Sequence, residues 1–425
     1  MSMTAIMTMK NTTRIIAAAV WATALAGCGG EDTGQKTYFS NFQPASVQLS
    51  QTAAGADAFT APQGNTAMAA GHLWVADTGA DTLYYSDDLT VSDGMNLNAI
   101  DSIQYNNGSS DYPLSGAQSP AFYEERLALA LSGSHALVIF DQTPEAGGDN
   151  RGIILGAGGF SSAPAAECSA RGFNNPQSVT FGGDKMIVAD TDNNRVLIWN
   201  SVPQASATAP DYVLGQNGFT YCSANDEDQD GAQDYQPANR TLNHPTAVWS
   251  DGDKLLVLDS GNNRVLVWNQ FPDENFMYAD QVLGQPDFVT AYANDGAHDA
   301  SEDDPASTTL SGAVSGLDSN GKQILVADSG NNRVLMWNNW PQENGAGADI
   351  VLGQSSFKHI FANDDEQHCA DEYASICGSS NRETLRTLNH PTGVALQGDY
   401  LVVTDSGNQR VLLFSGNANN PLEEE

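Results

Sequence analysis

A twelve-residue pattern recurs along this chain and constrains its fold more than any other feature. One copy, residues 326–337, reads Val-Ala-Asp-Ser-Gly-Asn-Asn-Arg-Val-Leu-Met-Trp. Each strong copy has two runs rich in β-branched residues around a Gly/Asn turn, which is typical of a β-hairpin. The strong copies are Val188–Trp199, Val257–Trp268, Val326–Trp337 and Val403–Phe414, and two weaker ones are Trp74–Tyr85 and Leu129–Phe140.

Short apolar segments flank these hairpins and complete the repeating unit. Pro245–Trp249 precedes one hairpin, and a Val-Leu-Gly-Gln segment, Val282–Gln285, follows it. Four short antiparallel strands repeated six times predict an all-β fold, a six-bladed β-propeller of four-stranded antiparallel blades.

The order Pro-x-Gly-Val, at 391–394, followed by Val-x-Asp-Ser-Gly-Asn-x-Arg-Val-Leu resembles the NHL-repeat family. The motif is well kept in the last four copies and degenerate in the first two. The resemblance covers about residues 45–416, which we assign to the propeller. It implies a propeller fold and a family that includes propeller enzymes.

The two ends of the repeat array predict how the ring closes. The sixth copy ends at Phe414 and no Val-Leu-Gly-Gln segment follows it, whereas Ser46–Gln51 has the form of that missing strand. We therefore expect the N-terminal segment to pair beside Val411–Phe414, because this covers an otherwise open sheet edge. Residues 417–425 then form an acidic tail.

The first 28 residues resemble a bacterial lipoprotein signal peptide. Lys10 and Arg14 precede an apolar run, Ile15–Ala26, which is too short to span a bilayer, and Leu-Ala-Gly-Cys ends at Cys28. The resemblance implies removal of residues 1–27, lipidation of Cys28 and a lipidated tether over 28–44. It predicts an outer-membrane lipoprotein held by its lipid alone; an ordinary secretory signal is the alternative.

Four further cysteines, Cys168, Cys222, Cys369 and Cys377, are an even number in a chain that we expect to be exported. They predict two disulfides with three alternative pairings. Cys369 and Cys377 would close a short loop, which leaves Cys168 with Cys222.

The chain is strongly acidic, with a formal net charge of −35. Such a charge repels phosphate backbones, so we expect no nucleic-acid partner. The three longest connections between repeats, 217–241, 286–309 and 355–387, hold 17 acidic residues together with several aromatic ones. Strand parity places these connections on the same face as the Asp-Ser-Gly-Asn-Asn-Arg turns. The acidity fits either calcium binding or a salt-adapted surface.

One of these loops contains the Asp-x-Asp-x-Asp-Gly core of a calcium-binding loop. Its candidate ligands are Asp226, Asp228, Asp230 and Asp234. Alternating carboxylates converge on a hard cation, and Gly231 permits the sharp turn. Because Pro237 replaces the usual bidentate glutamate, this is not an EF-hand, and a solvated acidic loop is the alternative.

Two other sets of residues invite a catalytic interpretation. Asp190, Asp259, Asp328 and Asp405 recur with Arg195, Arg264, Arg333 and Arg410, and this recurrence favours a structural role, because an active site needs a single constellation. His244 and His390 begin equivalent inner strands. The family includes metal-dependent lyases and hydrolases, which makes these histidines alternative axial ligands, although two histidines without a third ligand are a poor zinc site.

The sequence therefore predicts a binding scaffold that engages an envelope protein or extracellular polymer through its acidic loop face. We assign no catalytic residue and no organic cofactor, and calcium is the one cofactor considered. The alternatives are a metal-dependent propeller hydrolase or lyase with an axial site, and a purely structural surface component.

Overall fold

The computed structural model describes residues 36–50, 59–89, 91–92, 95, 97–105, 111–156, 166–206, 208–311, 314–366 and 382–417. Six separate sheets form, one for each repeat, and their innermost strands contact one another in a closed circle. The prediction of an all-β six-bladed propeller is thus confirmed. The described helices are 3₁₀ turns of three residues, and none could cross a membrane.

Each blade runs from an innermost to an outermost strand, and each of its four strands pairs antiparallel with the next. Blades 1 to 3 contain β2 (Ala67–Ala69), β3 (His72–Asp77), β4 (Thr82–Tyr85) and β5 (Asn98–Ile100); β8 (Ala117–Tyr123), β9 (Arg126–Leu131), β10 (Ala136–Phe140) and β11 (Arg151–Leu155); and β12 (Pro176–Gly182), β13 (Lys185–Asp190), β14 (Arg195–Trp199) and β15 (Tyr212–Leu214).

Blades 4 to 6 follow the same order. They contain β16 (Pro245–Ser250), β17 (Leu255–Asp259), β18 (Arg264–Trp268) and β19 (Gln281–Leu283); β20 (Gly316–Ser319), β21 (Ile324–Asp328), β22 (Arg333–Trp337) and β23 (Ile350–Leu352); and β24 (Pro391–Gln397), β25 (Tyr400–Asp405), β26 (Arg410–Ser415) and β1 (Val47–Ser50). 3₁₀ turns join the middle strands of blades 2 to 6, at Ser132–Ser134, Thr191–Asn193, Ser260–Asn262, Ser329–Asn331 and Ser406–Asn408.

Blade 2 departs from the four-stranded expectation. A hairpin of β6 (Ser102–Tyr105) and β7 (Asp111–Pro113) lies outside it, and β6 pairs with β11 in parallel. This makes a six-stranded sheet. The added hairpin covers the edge that β11 would otherwise expose.

The core lies between adjacent blades, which explains why the strands read as continuous apolar runs. Both faces of each blade pack against a neighbour, so β17 and β18 are buried at every position. The inner strands approach closely where the ring closes. A Cβ at Gly393 would lie 1.8 Å from the carbonyl oxygen of Gly64, so blade 6 can meet blade 1 only with glycine there.

The N-terminal segment closes the ring as predicted. Strand β1 pairs antiparallel with β26, with Val47 opposite Leu413 and Ser50 opposite Arg410. Blade 6 therefore takes three strands from the C-terminal end of the propeller and one from its N-terminal end.

The segment that closes the ring begins to contact the propeller before strand β1 starts. Asn41 accepts a hydrogen bond from the backbone N–H of Val351 at 2.9 Å, and Phe42 donates to the Val351 carbonyl at 3.1 Å. Asn275 and Phe276 make the same two bonds to Val213 at 3.0 and 2.9 Å. Residues 41–49 are thus equivalent to the link and outer strand of blade 4.

Part of the predicted 28–44 tether consequently lies within the described propeller. The Phe39 side chain is buried, and Tyr38 forms a β-bridge with Asn417. Thr37 donates its N–H to Gln323 and accepts a hydrogen bond in return, at 2.9 and 2.8 Å. Any free tether therefore ends by residue 35.

Candidate functional site

The repeated aspartate and arginine form buried ion pairs inside the hairpins. In blade 4, Arg264 Nε donates to Asp259 Oδ2 at 2.7 Å, and both side chains are fully buried. The two residues are opposite one another on paired strands. The same pair recurs as Asp190–Arg195, Asp328–Arg333 and Asp405–Arg410, with N–O distances of 2.7, 2.8 and 2.6 Å.

Each of these carboxylates also fixes backbone and side-chain amides. Asp259 accepts from the Asn243 N–H at 2.6 Å and from Asn262 Nδ2 at 2.7 Å. Burial raises the pKa of the Asp259 carboxyl, while the Arg264 charge and these donors act in the opposite direction. The carboxylate oxygens of Asp259 accept hydrogen bonds from its own hairpin and from the segment just before β16, so Asp259 has a structural role.

The arginines also hold the long loops. Arg264 Nη1 donates to the Phe288 carbonyl at 2.7 Å, at the start of the loop that follows its blade. Its Nη2 donates to Ala238 and Thr241, at the end of the loop that precedes the blade, at 2.9 and 3.0 Å. Arg195 and Arg333 likewise bind the Phe219 and Phe357 carbonyls.

Reciprocal asparagine pairs connect each loop to the next hairpin turn. Asn225 and Asn262 exchange side-chain hydrogen bonds at 2.9 and 2.8 Å. Equivalent pairs join Asn294 with Asn331 and Asn363 with Asn408. The three long loops therefore share one framework, and they meet the ring where the Ser-Gly-Asn turns lie.

The loops expose aromatic and aliphatic side chains as well as carboxylates. Tyr235 is 93% exposed. Of the seven large hydrophobic side chains that are exposed in the described part of the chain, five lie on these loops: Tyr221, Tyr235, Val289, Tyr292 and Leu385. A surface that combines fixed loop ends with exposed aromatics has the features of a binding face.

Three of the four predicted cation ligands come together. Carboxylate oxygens of Asp226, Asp228 and Asp234 lie within 4.8 Å of one another, which suits a hard cation. Asp230 lies outside this group, and its carboxylate accepts from the Ala232 N–H at 2.8 Å.

Asp226 has a structural function as well. It is buried and accepts from the N–H groups of Asp230 and Gly231 at 3.0 and 2.9 Å. In the next loop, Asp295 makes the same two bonds, with Asp299 and Ala300, although no Asp-x-Asp-x-Asp sequence is present there. Asp228 and Asp234 are therefore the residues that distinguish the first loop.

The two histidines of the alternative axial site are exposed and lie at blade junctions. The His244 N–H donates to Asn194 Oδ1 at 2.9 Å, and the His390 N–H donates to Asn332 Oδ1 at 2.8 Å. His244 Nε2 lies 3.8 Å from Asp192 Oδ1. Within the described ranges, the one group of three or more potential metal ligands is the aspartate group above, and neither histidine joins it.

One carboxyl group on an innermost strand, that of Asp318, has a strongly raised pKa. Desolvation raises the pKa of Asp318 to about 7, although hydrogen bonds from Leu396 and Ser319 act to lower it. Its Oδ2 accepts the Leu396 N–H at 2.6 Å, which joins blade 5 to blade 6. Asp318 therefore contributes a contact between blades, and among the described residues it joins no group of potential metal ligands.

A disulfide joins Cys168 and Cys222, and it links the segment before blade 3 to the loop after it. This is the pairing that we expected from the short loop between Cys369 and Cys377, which leaves Cys168 with Cys222. Cys369 and Cys377 lie outside the described residues, as does Cys28.

A cleft beside the aspartate group was not foreseen from the sequence. It has a volume of about 420 Å³ and brings the loop after blade 3 next to residues 274–278 of the blade 4 link. Arg240, from the loop, faces the rings of Phe276 and Tyr278, from the link, at 4.3 and 4.6 Å to the ring centroids. Sequence offered no signal, because the two segments meet only through tertiary packing.

Comparisons with known proteins show only that other solved structures have a similar fold. The chain matches no protein-family model and no curated protein. An inactive virginiamycin B lyase from Staphylococcus aureus is similar over 87% of this chain and 98% of its own, with 10% identity and a TM-score of 0.41.

Two further solved structures are similar to the same extent. Kuenenia stuttgartiensis hydrazine synthase covers 87% of this chain and 99% of its own, with 11% identity and a TM-score of 0.42. The protein U3-55K covers 88% and 86%, with 10% identity and a TM-score of 0.45. Similarities this distant carry no argument about activity.

Proposed function

We propose that this protein is a lipid-anchored, extracytoplasmic propeller that binds an envelope protein or extracellular polymer through its long-loop face. The observation that carries the proposal is the shared framework of the three long loops. Buried arginines and reciprocal asparagine pairs hold the loop ends, while acidic and aromatic side chains between those ends face solvent. A rigid ring that displays variable loops suits recognition.

The loop face can be tested by photocrosslinking in the native envelope. We expect p-benzoylphenylalanine at Tyr235 or Tyr292 to give discrete covalent adducts, because both side chains are exposed on the loops. The same group at Asp253, an exposed position in the β16–β17 turn at the opposite end of a blade, is the control. Equal adducts at all three positions, or none at the loop positions, would contradict the proposal.

Anchoring is proposed through Cys28, on the strength of the Leu-Ala-Gly-Cys sequence. We expect the native protein to begin with a diacylglyceryl cysteine and to fractionate with the outer membrane. Cys28→Ser should leave the precursor unlipidated and release the protein on mild washing. Mass spectrometry of the N-terminal peptide measures this directly, and firm membrane retention of the Cys28→Ser protein would exclude lipid anchoring.

Calcium is the proposed cation for Asp226, Asp228 and Asp234. With three carboxylates and no bidentate glutamate, we expect a dissociation constant on the order of 10⁻⁴ to 10⁻³ M. Calcium at ten times that constant should stabilise the fold by roughly 1.4 kcal/mol, and magnesium should do so less.

Paired variants separate calcium binding from general screening of acidic charge. Asp228→Asn with Asp234→Asn should abolish the calcium-dependent rise in melting temperature. Glu302→Gln with Asp303→Asn removes the same charge from exposed positions of the neighbouring loop and should preserve the rise. Equal stabilisation of wild type by calcium, magnesium and sodium chloride would indicate only a salt-adapted surface.

A further inference from the structure

The N-terminal segment enters the propeller at the face opposite the long loops. We call this the turn face, because it carries the turns that join the innermost and second strands, at 70–71, 124–125, 183–184, 251–254, 320–323 and 398–399. The backbone of Thr37 exchanges two hydrogen bonds with the side chain of Gln323, which lies in one of these turns. The Thr37 hydroxyl also donates to the carbonyl oxygen of Gly398, in the turn of the next blade, at 2.8 Å. The segment is thus fixed at the turn face from residue 37.

The neighbours of Thr37 lie at the same face. Tyr38 forms a β-bridge with Asn417, just after the end of β26. Lys36 Nζ donates to Asn339 Oδ1 at 2.5 Å, at the start of the link that follows β22. Any chain that precedes Lys36 therefore leaves the propeller from the turn face, between blades 5 and 6.

The tether proposed from Cys28 is short compared with the path around a blade. Eight residues separate Cys28 from Lys36, and eight residues in any conformation span at most about 29 Å. To turn the long-loop face toward a membrane, the tether would have to cross from β21 to β23, the outermost strand, and then pass up the side of the blade. Two strand spacings and the length of a five-residue strand already amount to roughly 26 Å. Too little of the tether then remains to cross the long loops.

The distribution of lysines also differs between the two faces. Four of the five lysines that follow Cys28 lie at the turn face: Lys36, Lys185, Lys254 and Lys322. The three long loops hold 17 acidic residues against four basic ones. The links at the turn face are acidic as well, so the lysines rather than the net charge distinguish this face. Ammonium groups suit the phosphates of lipid headgroups, whereas the carboxylates of the long loops are repelled by anionic lipids.

We propose that the turn face lies against the lipid headgroups of the anchoring membrane, and that the short tether holds the long-loop face away from them. This inference rests on the proposed lipid anchor at Cys28, which lies outside the described residues. It narrows the partner class, because a molecule bound at the long-loop face must lie beyond the headgroup layer. The partner is then a polymer or a projecting protein domain, and not the membrane-embedded part of a protein in the same bilayer.

The orientation can be measured by energy transfer in vesicles. The lipidated full-length protein is reconstituted into vesicles of phosphatidylethanolamine and phosphatidylglycerol that carry rhodamine on some headgroups. A donor fluorophore is attached through p-azidophenylalanine at Asp253, on the turn face, or at Tyr235, on a long loop, since both side chains are exposed. The five-residue strand β17 alone separates the two faces by about 17 Å, so we expect at least about twofold greater transfer from position 253.

A variant with a longer tether identifies the cause of this difference. A flexible Gly/Ser insert after Glu31, long enough to reach around the ring, should bring the two transfer efficiencies close together. Equal transfer from both positions of the protein without the insert, or greater transfer from Tyr235, would overturn the inference. A difference that the insert leaves unchanged would overturn it as well, because the tether length would then not set the orientation.

The anchor and the orientation fail in distinguishable ways. Mass spectrometry of the same sample reports the lipid on Cys28 separately. Protein that lacks the diacylglyceryl group would refute the anchor, and the inference with it. Lipidated protein with equal transfer from both positions would refute the orientation alone, and crosslinking at Tyr235 would remain the test of the loop face.

Discussion

Deleting residues 1–51 is expected to lower the melting temperature by about 10 °C or more. The deletion removes the outer strand of blade 6, which contains the buried Leu49. It also removes the segment before that strand, which contains the buried Phe39. Burial of two large side chains is worth roughly 5 kcal/mol together, and about 2 °C is lost per kcal/mol in large domains. The exposed edge of β26 should also promote aggregation.

A truncation series separates the strand from the link. Deletion of residues 1–35 keeps the contacts of the closing segment from Lys36 onward and is the reference for the series. Deletion of 1–44 keeps β1 but removes the bonds of Asn41 and Phe42 to Val351, so we expect an intermediate loss. If 1–44 can be removed as harmlessly as 1–35, the link does not contribute and the whole segment is a tether.

The second large effect is expected for Arg264→Met. The substitution leaves Asp259 buried without its cation, and it also releases the carbonyls of Ala238, Thr241 and Phe288. Removing one partner of a buried pair costs about 3–5 kcal/mol. Chemical denaturation measures the loss, and proteolysis within 217–241 and 286–309 should accelerate as the loop ends are freed.

Two comparisons identify the cause of this loss. Asp259→Leu with Arg264→Met should cost less than the sum of the single variants, because no unpaired charge remains. Blade 2 shows that a hairpin of this kind can form with apolar residues in place of the ion pair, because Leu131 and Ala136 occupy the positions of Asp259 and Arg264. Arg151→Met removes an exposed pair with Asp149 and should leave the denaturation midpoint nearly unchanged, because solvent screens that pair. Additive single variants would show that Asp259 and Arg264 act independently.

Sequence predicted the parts of this molecule that local patterns encode. Each hairpin is specified by its own apolar runs and turn, and the strand missing after Phe414 was visible as a gap in a regular array. The ion pair of Asp259 with Arg264 follows from the same register. The link at 41–45 could also have been found, since Asn41-Phe42 and Ala45 align with Asn275-Phe276 and Ala279.

Other features depend on packing between distant segments. The hairpin of β6 and β7 follows no repeat, so nothing in the sequence placed it on blade 2. The stacking of Arg240 on Phe276 joins two segments that meet only because Ala279 N–H binds the Asn239 carbonyl. The spacing of the calcium motif likewise could not reveal that Asp230 turns away to its own Ala232 N–H.

The anchored loop ends have a consequence for how this surface can diversify. Isolated β-bridges join Gly215 to Thr241 and Gly353 to Thr387, so each of these loops leaves and rejoins the ring at one place. The stretches enclosed, 217–240 and 355–386, differ in length, and their sequences diverge after a shared Ala-Asn-Asp that lies eight residues into each. Within 217–240 the residues that hold the framework, Phe219, Cys222, Asn225 and Ala238, must stay, so new specificities can be grafted between Asp226 and Ala238 without redesigning a blade.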